Sequence, residues 1–110
     1  MLDYLERRAS ERSAAQFPIY YTQVDFDGDA VFAEPAAENQ LAFANDVSLR
    51  GIGFSHNQRI DGNYVLVSFQ VIANEFLSIL LELRWQNLSG NRQAYHSGGR
   101  FVGLAVQVDA

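Results

Sequence analysis

Residues 64–85 read YVLVSFQVIANEFLSILLELRW. Whether its two apolar runs, 64–72 and 76–85, form strand or helix decides the fold. In the first run Val65, Val67, Phe69 and Val71 share one side of an extended chain. In the second, Leu77, Ile79, Leu81, Leu83 and Trp85 do the same, with some apolar residues on the opposite side as well. Leu and Glu also favour helix, so 76–85 has a helical alternative. Clean period-2 alternation and turns close at both ends favour strand.

The neighbouring segments agree with that choice. IDGNY at 60–64 predicts a hairpin turn, LSGN at 88–91 a further turn, and RFVGLAVQV at 100–108 a final strand. Upstream, PIYYTQVDF at 18–26 is β-branched and aromatic, and DGD at 27–29 is a turn signal. VFAEPAAENQ at 31–40 suggests a polar, alanine-rich loop or a short helical turn. LAFANDVS at 41–48 looks extended, and GIGF at 51–54 resumes after a kink. Residues 2–14 have a weak helical look that ends near Phe17-Pro18, where the residue before proline is pushed toward extended geometry. Many short strands with short turns predict a small antiparallel β-barrel. The chain divides into a short N-terminal arm or helix over 1–16 and a barrel over 17–108, with no internal repeat or linker between domains.

Composition narrows the function. With 110 residues the chain has room for one domain and one modest core. A hydrophobic content of 48% with 13% aromatic residues excludes a disordered tail. There is no cysteine, hence no disulfide framework and no thiolate metal site. MLDYLERR lacks the pattern of a signal peptide, and FLSILLEL at 76–83 is too short for a membrane helix, so the expectation is a soluble cytoplasmic protein. A net charge of −5 argues against general nucleic-acid binding, which needs a broad basic surface. The missing basic groove likewise counts against a barrel that binds RNA or single-stranded DNA through its aromatics.

The charge is unevenly placed. All basic residues are arginine, and Arg7, Arg8 and Arg12 stand together near the N-terminus. Arg8 and Arg12 form R-x-x-x-R. A guanidinium is a planar fork that suits a phosphate oxygen pair or the O6/N7 edge of guanine, where lysine offers only a point charge. Taken alone the spacing is common, and its ordinary reading is a solvated helix start with Glu6 or Glu11 pairing to the arginines. A second motif, D-x-S-x-x-G, is made by Asp46, Ser48 and Gly51. A carboxylate accepts from paired N–H groups such as guanine N1–H and N2–H₂, and a serine hydroxyl both donates and accepts. Gly51 permits an unusual backbone angle or the close approach of a flat ligand. The ordinary reading is a β-turn with glycine in the left-handed position.

The two motifs together resemble the PilZ domain family. Leu83-Arg84-Trp85 is similar to the family's aliphatic-x-Trp strand end, and Gly98-Gly99-Arg100-Phe101-Val102-Gly103 to its Gly-x-x-Phe-x-Gly final strand. The resemblance covers about residues 7–104. It implies a six-stranded antiparallel barrel that binds cyclic di-GMP without catalysis. Arg8 and Arg12 would then clasp a phosphate and a guanine edge from a mobile arm, Asp46 and Ser48 would hold the guanine, and Gly51 would shape the strand beneath it. Arg7 implies a self-stacked pair of ligands per chain, its alternative being a side chain in solvent. Arg100 on the final strand is either a further ligand contact or half of a cross-strand ion pair, and Arg50 is equally open. Ordering of the arm would signal to a downstream protein partner. The runner-up is a PilZ-like interaction module that does not bind the nucleotide.

Other residues point less sharply. The acidic run about 25–40, with Asp25, Asp27, Asp29, Glu34 and Glu38, is longer than the resemblance implies and is expected to be a solvated loop. DFDGD lacks the glycine position and terminal glutamate of a calcium loop. His56 and His96 have no ligand cluster beside them in sequence, so no metal is expected. They are expected at the surface or near the ligand. Trp85, odd-numbered like Leu81 and Leu83, is expected at the core or its rim, with base stacking as the alternative. No nucleophile with a plausible base and no P-loop appears, so an enzyme is not expected.

Overall fold

The computed structural model describes residues 13–33, 38–90 and 94–104. These form seven strands and no helix: β1 (Ser13–Phe26), β2 (Val31–Ala33), β3 (Gln40–Val47), β4 (Gly51–His56), β5 (Tyr64–Ile72), β6 (Glu75–Leu88) and β7 (Tyr95–Leu104). All pairings are antiparallel, in the order β2-β1-β3-β4-β7-β6-β5, and β1 also pairs with β5. That last pairing closes six strands into a barrel and leaves β2 as an extra strand at one end of β1. The six-stranded barrel implied by the resemblance is therefore present.

β1 closes the barrel because it is long. Its first part, Ser13 to Tyr21, lies against β3; Tyr20 to Val24 lies against β5; Val24 to Phe26 lies against β2. Pro18 falls before the β5 pairing begins, where the strand is flanked on one side only and a missing N–H is tolerated. The strand starts at Ser13, so the helical expectation for residues 13 and 14 is corrected, and 13–16 belong to the barrel rather than to the arm. The alternation of Phe17, Ile19 and Tyr21 continues past Pro18 as strand, because these side chains fill the interior.

The interior is built by period-2 alternation. Ile19, Tyr21, Ala42, Ala44, Ile52, Phe54, Val65, Val67 and Leu81 are buried there, with Phe17, Val47, Phe69, Leu83 and Phe101 packed against them. Small Ala42 and Ala44 on β3 leave room for large neighbours. The Tyr21 and Phe54 rings meet at 5.6 Å and 44°. Filling a closed barrel with side chains in this way makes it a packed core rather than a pore. The 76–85 run is strand, joined to β5 by a tight turn over Ala73-Asn74 in which Asn74 takes φ 66°.

Segment 60–64 is not a hairpin turn. β4 pairs with β3 and β7, and β5 with β1 and β6, so 57–63 crosses the end of the barrel. Ile60 is buried as a plug. The Gln86 side chain mimics a strand neighbour for it, accepting from Ile60 N–H at 2.8 Å and donating to Ile60 C=O at 2.9 Å. Leu83 N–H donates to Asn63 C=O, and Asp61 N–H to Gln23 Oε1. A DG pair makes a hairpin only when both flanking strands are sheet neighbours, and here they are not.

Other boundaries also differ from the sequence expectation. Val31–Ala33 is a short strand rather than loop, paired with the end of β1 across the 27–29 turn. Asp27 Oδ1 accepts from the N–H groups of Asp29 and Ala30, both at 2.8 Å, and Gly28 takes φ 102°. Those two hydrogen bonds hold the Asp27 carboxyl below its ordinary range. β7 begins at Tyr95, five residues before the expected start at 100. Val71 does not face the interior; it is 63% exposed as the extra residue of a bulge between Gln70 and Ile72, near the tip of the β5–β6 hairpin. Residues 34–37 and 105–108 lie outside the described residues.

Candidate ligand site on the outer face of the barrel

Asp46, Ser48 and Gly51 lie where β3 turns into β4. Ser48 N–H donates to Gly51 C=O at 2.9 Å, closing the turn, and Ser48 Oγ accepts from Arg50 N–H at 3.2 Å. Gly51 is required, but not for its backbone angle, since its φ is not positive. A Cβ there would stand 2.0 Å from Gly99 C=O on β7. Close approach of two backbones, rather than of a ligand or a left-handed turn, therefore explains this glycine. Phe101 N–H donates to Arg50 C=O at 2.7 Å and stitches the turn to β7.

Strand register gathers the predicted residues. Gly51 pairs with Arg100 across β4–β7, so Arg100 stands beside the D-x-S-x-x-G turn. Glu82, the register partner of Arg100 on β6, is engaged elsewhere: it pairs with Arg84 at 2.8 Å and accepts from the Tyr64 hydroxyl. Among the described residues Arg100 enters no ion pair. At the start of β1, Ser13 pairs with Val47 and Ala14 with Asp46. Arg7, Arg8 and Arg12 themselves lie outside the described residues. The backbone nonetheless places the residue following Arg12 directly beside the acidic motif.

The grouping of Asp46 and Trp85 with two strand glycines escaped sequence reasoning. Asp46, Gly53, Gly98 and Trp85 stand in one cross-strand row over β3, β4, β7 and β6. Residues paired in this way project on the same face, here the outer one, because Ile52 and Phe54 point inward. The glycines let large side chains lie down on the sheet. A Cβ on Gly53 would sit 3.0 Å from the Asp46 carboxylate, and one on Gly98 would sit 2.5 Å from the Trp85 indole. The indole covers Gly98, and Trp85 remains 41% exposed.

Trp85 therefore does not face the core, as its parity suggested. Leu83 pairs with Gly99 and Trp85 with Gly98, so Arg84 is an extra residue on β6. This bulge flips every later side chain. Gln86 points inward to Ile60, and Trp85 points outward. The sequence signal that could have found the row is glycine inside strands, Gly51-Ile52-Gly53 on β4 and Gly98-Gly99 on β7, since strand glycine marks close approach.

Beside this row, two residues along the strands, lies a polar one. Asn45 Nδ2 donates to Ser55 Oγ at 2.7 Å, and Ser55 Oγ lies 3.0 Å from His96 Nδ1. Ser55 and His96 are register partners on β4 and β7 and also face outward. His56 instead points inward, correcting the expectation of a surface or ligand-adjacent residue. It is buried between Tyr21, Phe54 and Tyr95, its Nδ1 at 2.6 Å from Gln58 C=O and its Nε2 at 2.7 Å from Ser97 Oγ. A carbonyl can only accept, so Nδ1 carries the proton and Nε2 accepts from Ser97. Burial pushes the His56 pKa below its ordinary value; the Gln58 hydrogen bond opposes this, and nearby His96 adds to it.

Among the described residues, no group of three or more His, Asp and Glu is placed to hold a metal ion. No protein-family model, curated protein or solved structure matches this chain significantly.

Proposed function

We propose that this chain is a non-catalytic receptor for cyclic di-GMP of the PilZ type, acting in the cytoplasm. The observation that carries the reading is the pairing of Ser13 with Val47 and Ala14 with Asp46. It brings Ser13, the residue that follows the R-x-x-x-R segment in sequence, to the D-x-S-x-x-G turn, although the two motifs are separated by more than thirty residues. Arg8 and Arg12 supply planar forks for phosphate and guanine, Arg7 a third for a second stacked ligand, and Arg100 stands at the same turn. Asp46 offers acceptors to guanine N1–H and N2–H₂, Ser48 a hydroxyl, and Gly51 the tight strand entry. The exposed indole face of Trp85 in the row with Asp46 suits stacking of a purine whose edge meets the carboxylate. Binding would alter the surface that residues 1–12 offer to a protein partner.

Calorimetric titration tests this reading, with cyclic di-AMP and GTP as controls. Saturable heat with cyclic di-GMP alone is expected, and its stoichiometry reports one ligand or two. Arg8→Ala and Asp46→Ala should each cost about 2–5 kcal/mol, enough to remove most of the signal. Absence of heat and of any melting shift at high ligand concentration would overturn the proposal.

One observation favours a second reading, a protein-interaction module that does not bind the nucleotide. Tyr20, Leu41 and Phe43 are exposed on adjoining outer positions of β1 and β3, and Phe76 stacks edge-on to Tyr20. A clustered apolar surface of this kind suits a partner protein.

A further inference from the structure

The hydrogen-bond chain Asn45–Ser55–His96 runs across β3, β4 and β7 on the outer face. The Asn45 amide nitrogen can only donate, so it gives its proton to Ser55 Oγ at 2.7 Å. The Ser55 hydroxyl keeps its own proton to give, and His96 Nδ1 at 3.0 Å is within reach to accept it when the imidazole carries its proton on Nε2. A neutral imidazole that accepts at Nδ1 carries its proton on Nε2. His96 is half-buried on the outer face, two residues along β7 from Gly98, where the Trp85 indole lies. Ser55 stands the same distance along β4 from Gly53, beneath the Asp46 carboxylate. In that tautomer the chain ends in an N–H donor at the border of the Asp46–Trp85 row, opposite the side held by the Ser48 turn and Arg100.

We infer that His96 is a specificity-determining ligand contact, donating from Nε2 to an acceptor oxygen of the nucleotide, with Asn45 and Ser55 as positioning residues. The inference rests on the receptor reading above. The acceptor is guanine O6 or a phosphate oxygen, both of which take a neutral N–H donor. Asp46 provides acceptors and His96 provides a donor, so the row presents opposite hydrogen-bonding character at two borders. A base with a carbonyl at one position and N–H groups beside it fits that alternation, and adenine, which has an amino group at the corresponding position, does not.

The test combines a measurement on the free protein with titrations. Long-range nitrogen–proton NMR correlation on the free chain should show His96 as the Nε2–H tautomer, and Ser55→Ala should lose that preference. In calorimetry His96→Ala should weaken cyclic di-GMP at least about tenfold, the size of one hydrogen bond to a charged or strongly polar acceptor. His96→Gln, whose amide can place a donor near the same point, should recover most of the loss. A fall in the preference for cyclic di-GMP over cyclic di-AMP assigns guanine O6, and equal weakening of both assigns phosphate. Wild-type binding that His96→Ala leaves unchanged overturns the inference while the receptor reading stands. Absence of wild-type binding overturns both. The Nδ1–H tautomer in the free protein overturns the positioning chain whatever the titrations show.

Discussion

Trp85 and Gly98 form a pair in which each residue explains the other. An indole can lie flat on a strand only where the neighbour has no side chain, and a Cβ on Gly98 would fall 2.5 Å from the ring. Gly98→Ala should therefore lift the indole from the sheet. Trp85 is the only tryptophan, so the change is expected as a red shift of intrinsic fluorescence, with weakened cyclic di-GMP binding in the same sample. An unchanged emission spectrum would mean that the ring is not held on the glycine. His56 is the residue with a pH consequence. Its pKa in the folded chain lies below the unfolded value, mainly because it is buried. The unfolded state therefore binds the proton more readily, and stability is lost as pH falls below about 6.5 toward the folded value. Urea unfolding at a series of pH values should show this slope, and His56→Gln should flatten it. A slope unaffected by the substitution would assign the acid sensitivity to other groups.

At the scale of elements, the β6 bulge decides which side chains reach the site. Leu77 to Leu83 alternate as the sequence indicates; one extra residue, Arg84, then reverses the parity. Deleting Arg84 would remove the bulge and pair Leu83, Trp85 and Gln86 as consecutive residues with Gly99, Gly98 and Ser97, so Trp85 would still face outward and Gln86 would still reach Ile60. The core and the Gln86–Ile60 hydrogen bonds are kept, so the deletion should cost no more than about 1 kcal/mol in urea unfolding, the size of the lost partly exposed pair with Glu82. Arg84→Ala keeps the residue count and loses only a partly exposed pair with Glu82, which should cost no more than about 1 kcal/mol. A markedly larger loss from the deletion than from Arg84→Ala would show that the bulge itself, with the extra twist it gives β6, supports the barrel. The crossover 57–63 is a comparable device, since Ile60 closes the barrel end as a side chain of the core would.

At the scale of the whole molecule, closure depends on β1 touching both β3 and β5. Closing the barrel removes sheet edges that would otherwise pair with other chains. The closure uses only residues from Ser13 onward. A chain beginning at Ser13 should accordingly unfold cooperatively, with a midpoint close to that of the full chain, and on the proposed reading should lose cyclic di-GMP binding together with Arg7, Arg8 and Arg12. Retained binding would exclude Arg8 and Arg12 as ligand contacts, and failure to fold would show that residues 1–12 are needed to complete the barrel.

The sequence by itself determined the secondary-structure class and most of the core. Alternation at Val65, Val67, Leu81 and Leu83 is local information, because a strand's two faces follow from the backbone alone. It also carried the two motifs on which the proposed ligand rests. Only the tertiary structure decided how these parts meet. IDGN became a crossover because β4 and β5 are not neighbours, and turn residues cannot say which strands flank them. Trp85 moved to the outer face because a bulge has no local pattern; it arises where two paired strands of unequal residue count must stay in register. Gly53, Gly98, Ser55 and His96 joined Asp46 because register across β3, β4, β7 and β6 is a property of the closed barrel and not of any one segment.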